Sequence, residues 1–172
     1  MNNKIIILQL LIIFLIKNIS TISCIIVKTK SGPVNGLSVN FNNKVIQKFL
    51  GIPYAEPPIG SHRFGKTKSV HQWNDTYDAT NFKHSCHQKS SEFKMSEDCL
   101  YLNIYREEQK SGDNKLQPVM FWIHGGAFSG GNGYSADGTI LASKGVVFVT
   151  INYRLGPFGF LYGGDQIGRA HV

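Results

Sequence analysis

The sequence predicts an α/β fold in which an antiparallel meander leads into a central mixed sheet with helical cover. Three observations predict it. Short β-prone runs separated by turn residues fill positions 25–50. Two continuous apolar runs, 118–123 and 146–152, lie further on, and a stretch of helical composition, 137–144, separates them. Strands without apolar/polar alternation are buried on both faces, as in a sheet covered by helices. Of the 172 residues, 42% are hydrophobic and 17% charged, enough for a sizeable core and too few charges for a disordered polyelectrolyte.

The chain opens on a leader. Lys4 gives a positive start, residues 5–16 are apolar except for Gln9, and Lys17 closes the run before Ser20-Thr21-Ile22-Ser23. This reads as a secretory signal over 1–24, cleaved near Ser23 or Cys24, because the apolar run is too short to span a bilayer comfortably. Export would carry the protein into an oxidising compartment and out of the cell. Cys24 sits at the cleavage site, which leaves Cys86 and Cys99 as an even pair. A bridge between them is expected in preference to two buried thiols, and a loop of that size is worth roughly 3 kcal/mol in the chain-entropy model. Asn74-Asp75-Thr76 is a sequon in a polar stretch, so Asn74 is a candidate glycan site.

The elements follow in order. Ile25-Ile26-Val27 stops at Ser31-Gly32-Pro33, residues 34–39 stop at Asn42-Asn43, and 45–50 stop at Gly51, which predicts three strands of a meander. Pro53, Pro57, Pro58 and Gly60 exclude regular structure as far as Ser61, and 71–97 reads as loop held by the cysteine bridge. Asp137 is the expected N-cap of the helix and Gly145 its C′ residue.

The formal charge is +7, from 18 Lys+Arg against 11 Asp+Glu. Without Lys4, Lys17 and Arg169 the balance falls to 15 against 11, and the remaining bases are scattered singly. With no basic stripe and no base-stacking motif, no nucleic-acid partner is expected. The histidines and cysteines show no ligand spacing, so no metal and no cofactor is expected.

The chemistry lies in Val119-Met120-Phe121-Trp122-Ile123-His124-Gly125-Gly126-Ala127-Phe128. A buried strand runs into glycines at its C-terminal end, where open α/β sheets place ligands. Residues with little side chain let backbone N–H groups turn toward one point, as stabilising the oxyanion of a tetrahedral intermediate requires.

These residues carry a resemblance. The chain is similar to type-B carboxylesterases, the family that includes cholinesterases. The resemblance rests on Phe49-Leu50-Gly51-Ile52-Pro53-Tyr54-Ala55-Glu56-Pro57-Pro58, Arg63-Phe64, Ser96-Glu97-Asp98-Cys99-Leu100-Tyr101-Leu102-Asn103-Ile104-Tyr105, the His124–Phe128 segment, Asn152-Tyr153-Arg154 and Gly159-Phe160-Leu161. It implies the N-terminal part of an α/β-hydrolase fold over 25–165, left incomplete. It also implies oxyanion donors at the N–H groups of Gly126 and Ala127 with Gly125 making the turn, and a Cys86–Cys99 disulfide. Arg63 and Glu97 match a structural ion pair, which removes Glu97 and Asp98 as paired catalytic carboxylates.

The implied activity of the intact protein is carboxylic-ester hydrolysis by a serine esterase through an acyl-enzyme, on a small-molecule ester. None of the catalytic triad is present. No G-x-S-x-G occurs, the nearest miss being Gly133-Tyr134-Ser135-Ala136-Asp137, and family chain order puts Ser, acid and His after Asp165. The alternative is a non-catalytic adhesion or binding ectodomain of the neuroligin-like kind. Choline-ester specificity is disfavoured, because the loop between Cys86 and Cys99 has no Trp for a quaternary ammonium and Phe93 is its only aromatic. The final stretch, 166–172, departs from the resemblance. Ile167-Gly168-Arg169-Ala170-His171-Val172 is what ATCGGAAGAGCACACGTC, resembling a sequencing-library adapter, encodes, so a non-native tail is expected. The 172 residues alone are expected to be inactive and insoluble or molten. No sequence feature fixes a membrane anchor or an oligomeric state.

Overall fold

A computed structural model describes residues 23–89, 92–109, 112 and 115–162. Of the expected leader over 1–24, all but Ser23 and Cys24 lie outside the described residues, as does the whole of the expected tail over 166–172. Ser23 and Cys24 open the first strand, and Cys24 is exposed and outside any disulfide. Among the described residues no helix is long and apolar enough to cross a membrane.

The meander forms as the turn residues dictate. Strands β1 (Ser23–Lys28), β2 (Pro33–Phe41) and β3 (Lys44–Pro53) pair antiparallel. Phe41 faces Lys44, so Asn42 and Asn43 alone make the β2–β3 turn, at φ 48° and 60°. Two positive φ values in a two-residue hairpin give the twist the strands need, and Asn tolerates them. Gly51 does not end β3. The strand continues to Pro53 through a register shift, with Gly51 at φ 74° as the bulge. Its N–H is taken by Asn103 Oδ1 at 2.9 Å.

Asn103 belongs to a strand the sequence reading missed, β5 (Tyr101–Glu107), which pairs antiparallel with both β3 and β7 (Val147–Ile151). A two-residue strand, β4 (Tyr77–Asp78), runs parallel to β2, and β6 (Val119–Ile123) runs parallel to β7. The order is β1-β2-β3-β5-β7-β6, a mixed sheet with the meander at one side. Ile46, Leu50, Tyr105 and Phe148 form the core on the face that receives α1 (Thr139–Ala142), whose Ala142 is fully buried.

Two expectations change in detail. Burial on both faces holds for β7 and fails for β6, where Val119, Phe121 and Ile123 are 66%, 55% and 62% exposed. Among the described residues β6 is the outermost strand on its side, so nothing there covers it. Helix α1 is shorter than read, and its N-cap is Gly138. Asp137, one residue earlier, still caps it by accepting the Thr139 N–H at 2.7 Å together with the Thr139 hydroxyl. Gly145 adopts φ 83° beyond the helix, as a left-handed terminator does.

Cys86 and Cys99 are bridged, and both are buried against Leu100, Tyr153 and Leu155. Replacing both with Ser in the whole protein is expected to cost about 3 kcal/mol in stability, read as a lower denaturation midpoint. An unchanged midpoint would count against a structural role for the bridge.

Candidate active site

Strand β6 delivers the chain at Ile123 into a turn with unusual backbone geometry. Gly126, Ala127 and Phe128 have φ of 121°, 50° and 59°. Two consecutive non-glycine residues in the left-handed region cost about 1–2 kcal/mol each. A side chain at Gly126 would put its Cβ 1.8 Å from the Gly130 carbonyl oxygen. The turning role read for Gly125 therefore falls on the next three residues. Gly125 itself has no positive φ, and a Cβ there would meet nothing.

The turn is held by its carbonyls. Gly125 O accepts the Nδ1–H of His124 at 2.8 Å. Gly126 O accepts the N–H groups of Ser129 and Gly130 at 3.0 and 3.1 Å, and the Ser129 hydroxyl at 3.2 Å. The described peptides are trans, so each N–H points opposite the carbonyl of its own peptide unit. Holding Gly125 O and Gly126 O therefore aims the N–H groups of Gly126 and Ala127 the other way. Among the described residues neither N–H has an acceptor.

Both residues line an open cavity of about 330 Å³, together with Ile123, Phe128, Tyr153 and Phe160 among others. Among the described residues no carboxylate, ammonium or guanidinium lines it. His124 also borders it and is 4% exposed. Burial lowers its pKa against the opposing effect of its bond to Gly125 O, so the imidazole is neutral at pH 7 with its proton on Nδ1. The described lining is therefore uncharged and mostly apolar.

The remaining sequence-predicted residues are placed as follows. Arg63 grips Glu97 with two bonds, Nε to Oε2 at 2.6 Å and Nη2 to Oε1 at 2.5 Å, and this pairing raises the Arg63 pKa. The Arg63 guanidinium lies over the Phe158 ring, and Arg63 is not among the residues lining the cavity beside Gly126 and Ala127. Ser135 sits in a turn where its hydroxyl donates to Asn132 O. Phe93 packs edge-on against Tyr134 and Phe82. Asn74 is exposed in a bend before β4. Among the described residues no group of His, Cys, Asp and Glu is arranged to hold a metal.

Sequence reasoning missed two supports. Gln88, in the disulfide loop, donates from Nε2 to Gly131 O at 3.0 Å and accepts the Gly131 N–H at 2.8 Å. Tyr153, just after β7, donates its hydroxyl to His124 O at 2.7 Å.

A mixed sheet whose parallel strand ends in a left-handed glycine turn, with two uncommitted amides beside an apolar cavity, is that of an α/β-hydrolase. The chain belongs to the carboxylesterase family, whose model matches residues 23–169. It is 44% identical over 148 residues to the para-nitrobenzyl esterase of Bacillus subtilis (strain 168), a match covering 80% of this chain and 29% of that protein. It is 41% identical over 149 residues to venom carboxylesterase-6 of Apis mellifera, covering 82% of this chain and 27% of that one. A solved PNB esterase superposes with a TM-score of 0.72 at 43% identity, over 84% of this chain and 30% of that structure. The chain thus spans less than a third of the length of these relatives.

Proposed function

We propose that the whole protein is a serine carboxylic-ester hydrolase working through an acyl-enzyme, and that this stretch contributes its oxyanion hole and not its nucleophile. The observation that carries the reading is the pair of unpartnered amides at Gly126 and Ala127, aimed by held carbonyls and bordering an apolar cavity. When a nucleophile adds to an ester carbonyl, the oxygen gains charge, and two N–H groups already in place stabilise it without reorganisation. Each such donor is worth about 10²- to 10³-fold in rate. The lining favours neutral esters. In the disulfide loop Phe93 is half-buried against Phe82 and Tyr134, and the loop sequence carries no Trp to offer a quaternary ammonium. Arg63 and Glu97 are structural in this reading.

The test uses the whole protein. Hydrolysis of p-nitrophenyl butyrate, with stoichiometric labelling of one serine by a fluorophosphonate, supports the reading. A folded whole protein that does neither is a binding ectodomain instead. The 172 residues alone are inactive in this reading, and the exposed Val119, Phe121 and Ile123 side chains drive them to associate.

The protein is also proposed to be exported, with a glycan on Asn74. A mobility shift on peptide-N-glycosidase treatment of secreted protein, abolished by Asn74→Gln, tests this; no shift refutes it.

A further inference from the structure

We propose that Tyr153 is the positioning residue of the oxyanion turn, an inference that rests on the esterase reading above. Three successive carbonyls, those of His124, Gly125 and Gly126, are each held by a donor. Tyr153 holds the first through its hydroxyl at 2.7 Å. Its ring also stacks on the His124 imidazole, with centroids 4.3 Å apart and planes 17° from parallel, and that imidazole holds the second carbonyl. One buried side chain thus fixes one peptide directly and orients the group that fixes the next.

The far end of the turn is anchored from the same short segment. Gly156 N–H donates to Phe128 O at 2.7 Å, and the Phe160 ring packs on the Phe128 ring at 4.8 Å. The helix α2 (Gly156–Phe160) is itself braced, since Phe64 stacks on Phe158. Between the two anchors the backbone crosses the left-handed region at Gly126, Ala127 and Phe128. A strained stretch keeps its geometry only while its ends are fixed. Tyr153 touches no reacting atom in this reading. It acts by keeping the Gly126 and Ala127 N–H groups aimed.

Tyr153→Phe in the whole protein removes one hydroxyl and keeps the ring. Because a misplacement of about 1 Å costs about 10²-fold, loss of one of the two anchors is expected to lower kcat about tenfold, with KM within about twofold. Affinity for an alkyl trifluoromethyl ketone, which binds as a tetrahedral oxyanion, falls by the same factor. Affinity for the matching secondary alcohol, which has no oxyanion, stays. An unchanged kcat in Tyr153→Phe overturns the proposal. So does a loss shared equally by KM and alcohol affinity, which marks a structural role only. A whole wild-type protein without turnover overturns the esterase reading and this one with it, whereas active wild type beside an unaffected Tyr153→Phe overturns this one alone.

Discussion

Gly126→Ala in the whole protein is expected to lower kcat by about 10²- to 10³-fold, the loss that follows removal of an oxyanion donor. The change adds only a methyl group, but that methyl has no place. At φ 121° the residue lies where L side chains rarely go, and the new Cβ would stand 1.8 Å from Gly130 O. Relief requires the 126–130 turn to open, which breaks the bonds from Ser129 and Gly130 to Gly126 O. Those bonds aim the Ala127 N–H, so both donors move at once. The check is steady-state kinetics beside a thermal melt. A kcat within about threefold of wild type would mean that the turn does not carry the donors.

Asn152→Leu is expected to cost about 3 kcal/mol of stability, because three hydrogen bonds go with it and two of them, to Gly133 and Tyr134, leave partners that stay buried. Asn152 is 1% exposed. Its Oδ1 accepts the Gly133 N–H at 2.8 Å, and its Nδ2 donates to His84 O at 3.0 Å and to the Tyr134 hydroxyl at 2.7 Å. The side chain therefore joins the end of β7 to the segment entering the disulfide loop and to the loop leaving the oxyanion turn. Urea denaturation of the whole protein measures the cost, and a loss below about 1 kcal/mol would show that water replaces these bonds.

What the sequence made legible was what local chemistry decides. The Asn42-Asn43 turn, the parallel apolar strands and the glycine segment after β6 each follow from residues within a few positions of one another. Strand β5 did not, although its alternation is real: Tyr101, Asn103 and Tyr105 are buried while Leu102 and Ile104 are half-buried. A central Asn reads as polar until its partners are known, and these are Gly51 and Thr150, 52 and 47 positions away. The site divides in the same way. The strand–glycine pattern marked the segment, and the family resemblance named Gly126 and Ala127 within it. Which glycine bears the turn could be read from neither, since the answer lies in the approach of Gly130. Gln88 and Tyr153 act 43 and 29 residues away from themselves, and no periodicity marks them.

The Gln88 clasp has a consequence for how such a protein can change. Its amide pairs with both polar groups of Gly131, as one strand residue pairs with another, and it also bonds Cys86 O at 3.2 Å. The number of residues between Cys86 and Gln88, and between Gly126 and Gly131, is therefore locked. Within the disulfide loop a change of length leaves the clasp intact at the tip, where Lys89 and Glu92 face solvent. Lineages carrying this clasp are free to lengthen that tip while the two inner spacings stay fixed together.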